Sequence, residues 1–116
     1  MSFPSVTPVA PDERVRELLA SERVRRAFQF FESQADSITK EHAAICAIPA
    51  PPFGERVRAE YLSGKFRALG LTDACLDAEG NCVALRRGRT LRPLLVVSAH
   101  LDTVFPEGTD CTVRRD

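Results

Sequence analysis

The chain has 116 residues, which is enough for one small domain or for part of a larger one. Hydrophobic residues make up 44% and charged residues 28%, proportions that are ordinary for a folded protein and that exclude a wholly disordered chain. Sixteen basic residues balance sixteen acidic ones, so no net charge draws the chain toward nucleic acid or toward an anionic membrane.

The N-terminus and the cysteines indicate a cytoplasmic protein. Residues 1–11 lack the basic start and the apolar run of a signal peptide, and we predict a flexible tail there. No window approaches the roughly 18 to 20 apolar residues that a membrane helix needs. None of the four cysteines has Cys-x-x-Cys spacing, which argues against a cysteine zinc site. We expect free thiols in a reducing cytoplasm.

The segment from residue 12 to residue 48 is predicted to be helical, and its periodicity fits either two or three helices. Pro11 suits the first turn of the first helix, because proline has no N–H donor to leave unsatisfied there. The helical region ends at Pro49, since the sequence Pro-Ala-Pro-Pro that begins there cannot remain helical.

A further helix is predicted over Glu55–Leu69, with Gly70 as its C-terminal cap because glycine tolerates the left-handed conformation. The predicted apolar face of this helix consists of Val57, Tyr61, Leu62 and Leu69.

The hydrophobic period then changes, and two short strands, Thr72–Asp77 and Asn81–Arg87, are predicted to form a β-hairpin. A four-residue loop would place Cys75 opposite Cys82, and a three-residue loop would move the pairing by one position. The sequence favours neither register.

The run Leu94–Ala99 reads Leu-Leu-Val-Val-Ser-Ala, which is nearly all apolar. Such a run predicts a strand that is buried on both faces, as in the middle of a parallel or mixed sheet. The predicted fold class is therefore α/β: helices, then a β-hairpin, then a buried strand of a mixed sheet.

His100 and Asp102 follow this predicted strand directly. Ligands of open α/β sheets collect at the carboxyl ends of strands, so His100 stands where a ligand should stand. A neutral imidazole is a good zinc ligand, and its second ring nitrogen usually needs an oriented acceptor. Asp102 can supply that acceptor or lie near the metal itself. Because His-x-Asp is short and arises often by chance, the alternative is a structural pair in which Asp102 caps a turn.

The surrounding sequence, Ser-Ala-His-Leu-Asp-Thr-Val-Phe-Pro over residues 98–106, closely resembles the first metal-ligand motif of the cocatalytic-zinc peptidase and deacylase family. That family includes peptidase T, carboxypeptidase G, acetylornithine deacetylase and succinyl-diaminopimelate desuccinylase. The resemblance runs from about Ile38 to Asp116, and three more segments carry it in matching order and spacing: Ile48–Glu55, Phe66–Leu71 and Asp77–Asn81.

The resemblance implies a hydrolase that cleaves a peptide or N-acyl amide bond with two zinc ions, for which cobalt or manganese could substitute. In the family, the two metals polarise the scissile carbonyl and hold a bridging water, and a downstream glutamate is the general base. By resemblance, His100 binds one zinc ion, and Asp102 orients that histidine and assists catalysis. The expected partner is a peptide or N-acyl amino acid substrate, without nucleic acid or membrane, and the complete enzyme could be a homodimer.

The family's other ligands and its general base have no counterpart among these residues, whereas a catalytic zinc site needs about three protein ligands. We therefore expect residues 12–116 to be the N-terminal portion of a truncated catalytic domain that is inactive alone. One alternative is a non-catalytic α/β interaction domain with a structural His-x-Asp pair. Another is a different hydrolase, such as a phosphoesterase, but that would need further histidines, and His42 is expected at the surface.

Overall fold

A computed structural model describes residues 11–114 of the chain. Over these residues it contains four α-helices followed by a two-stranded antiparallel sheet, so the predicted order of helices and then a hairpin is confirmed. The described residues divide into two compact units, residues 11–40 and residues 41–114. The predicted tail lies outside the described residues except for Pro11, which begins the first helix.

Three helices form the predicted helical region: α1 (Pro11–Ala20), α2 (Glu22–Ser33) and α3 (Ala35–Cys46). The break between α1 and α2 lies at Ser21, whose extended backbone (ψ 129°) leaves the helical path. Its carbonyl oxygen nevertheless accepts the first hydrogen bond of α2, from the Arg25 N–H at 3.0 Å. Ser21 is therefore the N-cap residue of α2, although its side chain makes no capping hydrogen bond. The sequence offered Ser21 either as such a cap or as a simple interruption of one helix, and the structure shows the cap.

The second unit contains the end of α3 and a fourth helix, α4 (Arg56–Ala68). Glu41 connects the two helices, because its carboxylate accepts hydrogen bonds from the Tyr61 hydroxyl at 3.0 Å and from the Lys65 ammonium group at 2.6 Å. The Lys65 ammonium group holds the pKa of Glu41 below its ordinary value. The Glu41 carboxylate likewise raises the pKa of Lys65, so each partner stabilises the charged form of the other.

The buried face of α4 differs from the predicted one. Val57 and Leu69 are mostly exposed, whereas Ala59 and Ser63, four residues apart, are buried. Small side chains at this spacing let the helix backbone approach its neighbours closely, and α4 packs against both strands of the hairpin. Gly70 follows the helix with a φ of +72°, as its predicted role as a C-terminal cap requires.

The hairpin consists of β1 (Thr72–Leu76) and β2 (Cys82–Leu85). Cys75 pairs with Val83, and Leu76 pairs with Cys82, which is the register of the three-residue loop. The loop closes because the Asp77 N–H donates to the carbonyl oxygen of Asn81 at 3.0 Å.

The Asp77 carboxylate stabilises this turn by accepting three hydrogen bonds, from the Glu79 N–H and from the backbone and side-chain amides of Asn81. Gly80 adopts a φ of +88° in the same turn, a conformation that costs glycine nothing. Side-chain chemistry of the turn therefore decided a register that strand periodicity had left open.

The prediction of a buried strand at Leu94–Ala99 is wrong. These residues form no strand in the structure, and Leu95 and Val97 are 85% and 87% exposed. The sheet of the described residues has only β1 and β2, and the segment pairs with neither. An apolar run becomes a buried strand only where neighbouring strands satisfy its backbone and other layers cover its faces, and residues 11–114 supply neither.

None of the helices in the described range is both long enough and apolar enough to cross a membrane.

Candidate metal-ligand site

His100 and Asp102 contact each other in the structure. The Nδ1 atom of His100 lies 3.1 Å from the carboxylate oxygen Oδ1 of Asp102 and 2.9 Å from its backbone carbonyl oxygen. The His100 side chain is 82% exposed and that of Asp102 is 44% exposed. The pair therefore forms a local unit at the surface of residues 11–114.

This contact determines which ring nitrogen of His100 is free. Two oxygen atoms of Asp102 face Nδ1, so in the neutral imidazole Nδ1 carries the hydrogen and the Nδ1–H group donates hydrogen bonds to them. The other nitrogen, Nε2, then has a lone pair, and it makes no hydrogen bond to any described residue. A histidine whose Nδ1–H is bound to a carboxylate and whose Nε2 is free has the arrangement that zinc-binding histidines commonly adopt.

The described residues do not complete a metal site. Across residues 12–114, no group of three or more His, Cys, Asp or Glu side chains lies close enough to hold a metal ion. His100 Nε2 and the Asp102 carboxylate are donors that suit zinc chemically, but a catalytic zinc ion needs about three protein ligands. The arrangement thus fits part of a metal centre.

The segment that follows His100 is anchored to the second unit at two points. The buried guanidinium of Arg58 donates to the carbonyl oxygen of Leu101 at 2.8 Å and to that of Ile48. The Thr103 N–H donates to the carbonyl oxygen of Ala50 at 2.8 Å. These bonds hold the backbone on both sides of Asp102 against the segment that precedes α4.

Arg58 is a functional candidate that the sequence analysis did not identify. It lies three residues before Tyr61 and four residues before Leu62, so it shares the face of α4 that was predicted to be apolar. A charged residue on an otherwise apolar helical stripe was the signal that could have identified it, because such a residue is buried only when it has partners.

The other acidic and histidine residues near this region have ordinary surface positions. His42 is exposed, as expected. Glu107 and Asp110 are exposed as well, and the pKa of Asp110 lies below its usual value because Thr112 donates hydrogen bonds to its carboxylate. A depression of about 610 Å³ is lined by five residues of the segment from Pro49 to Gly54 and by Glu107, but neither His100 nor Asp102 lines it.

Comparison with known proteins adds one likeness. No protein-family profile matches the chain. A peptidase T-like protein of Rhizobium meliloti is 37% identical over 92 residues, which is 78% of this chain and 20% of that protein. The chain thus spans about a fifth of the length of the curated relative that it matches. This likeness supports a relationship between the chain and the peptidases, which are hydrolases.

Proposed function

We propose that this chain supplies one corner of the active site of a metal-dependent hydrolase that cleaves peptide or N-acyl amide bonds. The observation that carries the proposal is the contact between the Asp102 carboxylate and Nδ1 of His100, which leaves Nε2 free to bind a metal. The likeness to a peptidase T-like protein supports the assignment to this class of hydrolase.

Each residue of the pair has a distinct role in this proposal. His100 would bind one of two zinc ions through Nε2, and Asp102 would keep the proton on Nδ1 and fix the direction of the ring. Metal ions in such a site polarise the scissile carbonyl and lower the pKa of a bound water, and cobalt or manganese can replace zinc. The remaining ligands and the general base would come from outside this chain, so the chain alone would be inactive. We place the enzyme in the cytoplasm.

The test is a comparison of His100→Ala, Asp102→Asn and the control His42→Ala in the full-length protein that contains this chain. His42 is the only other histidine of the chain, and it is exposed. Turnover is measured by release of amine from short alanine peptides and N-acetyl amino acids, and bound zinc is measured by elemental analysis.

We expect the His100 variant to lose activity and part of its zinc. The Asp102 variant should lose about 10- to 100-fold in turnover while it keeps most of its metal, because an outer partner tunes the ligand without replacing it. The His42 variant should match the unmodified protein. Normal turnover and normal zinc content in the His100 variant would refute the proposal.

A second function remains a candidate because the described residues bring only two metal-binding groups together. In this alternative the chain is a non-catalytic α/β interaction domain, and the His100–Asp102 pair stabilises a turn. The same experiment separates the two functions. The alternative predicts that the protein binds no zinc and releases no amine, and that the Asp102 variant changes only the thermal unfolding midpoint.

A further inference from the structure

We propose that Arg58 is a positioning residue for the His100–Asp102 pair, a proposal that rests on the function proposed above. Arg58 lies on α4 and is only 6% exposed. Its Nε and Nη2 atoms both donate to the carbonyl oxygen of Ile48, and its Nη1 atom donates to that of Leu101. One guanidinium thus joins two segments that are 53 residues apart in sequence, as the numbers of Ile48 and Leu101 show.

The environment of Arg58 is unusual for a charged side chain. No carboxylate within residues 12–114 forms a salt bridge with it, and its hydrogen bonds go to backbone carbonyl oxygens. Burying a charge without a counter-ion is costly, and an apolar side chain of similar length would cover the same surface without that cost. Packing of α4 alone therefore does not require a guanidinium, whereas a hydrogen-bonded connection between two backbone segments does.

The hydrogen bond from Arg58 to Leu101 constrains the backbone next to Asp102. Leu101 lies between His100 and Asp102, and its carbonyl oxygen belongs to the peptide group that links it to Asp102. Fixing this peptide plane limits the direction in which the Asp102 side chain leaves the backbone. On the other side of Asp102, Thr103 donates to the carbonyl oxygen of Ala50 through its N–H at 2.8 Å and its hydroxyl at 3.3 Å. Asp102 is held from both sides.

The residues that lead into His100 differ from the anchored residues that follow it. Residues 94–99 are all exposed and belong to no helix or strand of the described chain. The contacts that orient the His100 ring are those of its Nδ1 atom with the side chain and the backbone carbonyl of Asp102. Because Asp102 is anchored through Leu101 and Thr103, loss of the Arg58 bonds should loosen both members of the pair.

Lysine cannot reproduce this geometry. The planar guanidinium presents donors in a fixed fork, and here three of its nitrogen atoms donate to two carbonyl oxygens. A lysine ammonium group keeps the charge but is a single point with a flexible stem. Arg58→Lys therefore removes the fork while it conserves charge and most of the side-chain volume.

The test compares Arg58→Lys with the control Arg56→Lys. Arg56 lies on the same helix, but its side chain is 84% exposed, and its partner is Glu60 in an exposed ion pair. Two readouts are made on the 116-residue chain by nuclear magnetic resonance: the hydrogen-exchange rate of the Thr103 amide and the ¹⁵N shifts of the His100 ring. The amide of Leu69, the C-cap residue of α4, is the internal reference, because it donates to the backbone carbonyl oxygen of Lys65 in the last turn of the helix.

We expect Arg58→Lys to accelerate exchange at Thr103 by about tenfold and to leave Leu69 unchanged, because only the anchor is lost. The His100 shifts should move toward those of a ring that samples both tautomers. In the full-length protein, the same variant should lower kcat by about 10- to 100-fold with KM and zinc content nearly unchanged. Arg56→Lys should change none of these quantities.

Three outcomes would overturn the proposal: equal behaviour of the two lysine variants, an equal acceleration at Thr103 and Leu69, or a chain that no longer folds with lysine at position 58. The last two would give Arg58 a role in global stability alone. Failure of the hydrolase assignment is recognised by a different result, namely normal turnover of His100→Ala in the full-length protein. The exchange and ring measurements on the chain do not depend on that result.

Discussion

Removal of one buried hydroxyl should stabilise the second unit. Ser63 on α4 is 1% exposed, and its hydroxyl oxygen has no hydrogen-bond partner among the described residues. It interacts with the Cys82 thiol, whose pKa is raised by burial, but that interaction falls short of a hydrogen bond. We therefore predict that Ser63→Ala raises the free energy of unfolding.

The magnitude follows from three contributions. A buried hydroxyl without a partner costs about 1–3 kcal/mol, which alanine removes. Alanine also favours the helix interior over serine by about 0.5 kcal/mol. Against these, a void of roughly 20 Å³ costs about 0.5 kcal/mol at about 24 cal/mol per Å³. Because the Cys82 thiol already offsets part of the hydroxyl's cost, we expect a net gain of about 1–2 kcal/mol.

The chain offers a convenient assay for this change. Tyr61 on α4 is its only tyrosine, and the chain has no tryptophan. Tyrosine fluorescence therefore reports the unfolding of this helix directly. For a unit of this size, the expected gain corresponds to a rise of about 5–10 °C in the unfolding midpoint.

Ser98→Ala is the matched control, since Ser98 belongs to the same unit and is exposed. It should change the free energy of unfolding by less than about 0.5 kcal/mol. An unchanged or lowered midpoint for Ser63→Ala would refute the reasoning, because it would mean that the hydroxyl has a real partner in the folded state.

Two further predictions concern α4 and the hairpin. Gly64 lies in α4 with open space where a Cβ would be, so Gly64→Ala should raise the free energy of unfolding by about 1 kcal/mol in urea titrations, and a loss would contradict this. The Asp77 pKa lies below 3.8 mainly because the Asn81 side chain donates to its carboxylate. Its contribution to stability is therefore present above pH 3.8 and is lost as the pH falls through the lowered pKa. Asn81→Ala should raise the Asp77 pKa in a ¹³C carboxyl titration, and an unchanged pKa would contradict the assignment.

Local chemistry made much of the fold predictable. Pro11 begins α1, Gly70 follows α4 in a left-handed conformation, and the hairpin forms where the hydrophobic period changes. Each feature depends on residues that are close in sequence, so the residue types suffice to predict it. The hairpin register was an exception, because it depended on hydrogen bonds of the Asp77 side chain within the turn.

The candidate site was predictable in part. His100 and Asp102 are two residues apart, so their contact is a local feature that the motif could suggest. Arg58 was missed because its partners, Ile48 and Leu101, are 10 and 43 residues away in sequence. Helical periodicity describes which face a residue occupies and carries no information about distant carbonyl groups.

By itself, the sequence determined the order of helices and hairpin and the identity of the His100–Asp102 pair. The tertiary structure decided that Arg58 and Ala59 are buried while Val57 is exposed, and that Leu94–Ala99 is not a buried strand. The physical reason is that burial is a property of the neighbours that cover a residue. Apolar character makes burial favourable, but only packed layers and paired strands within the fold can provide it.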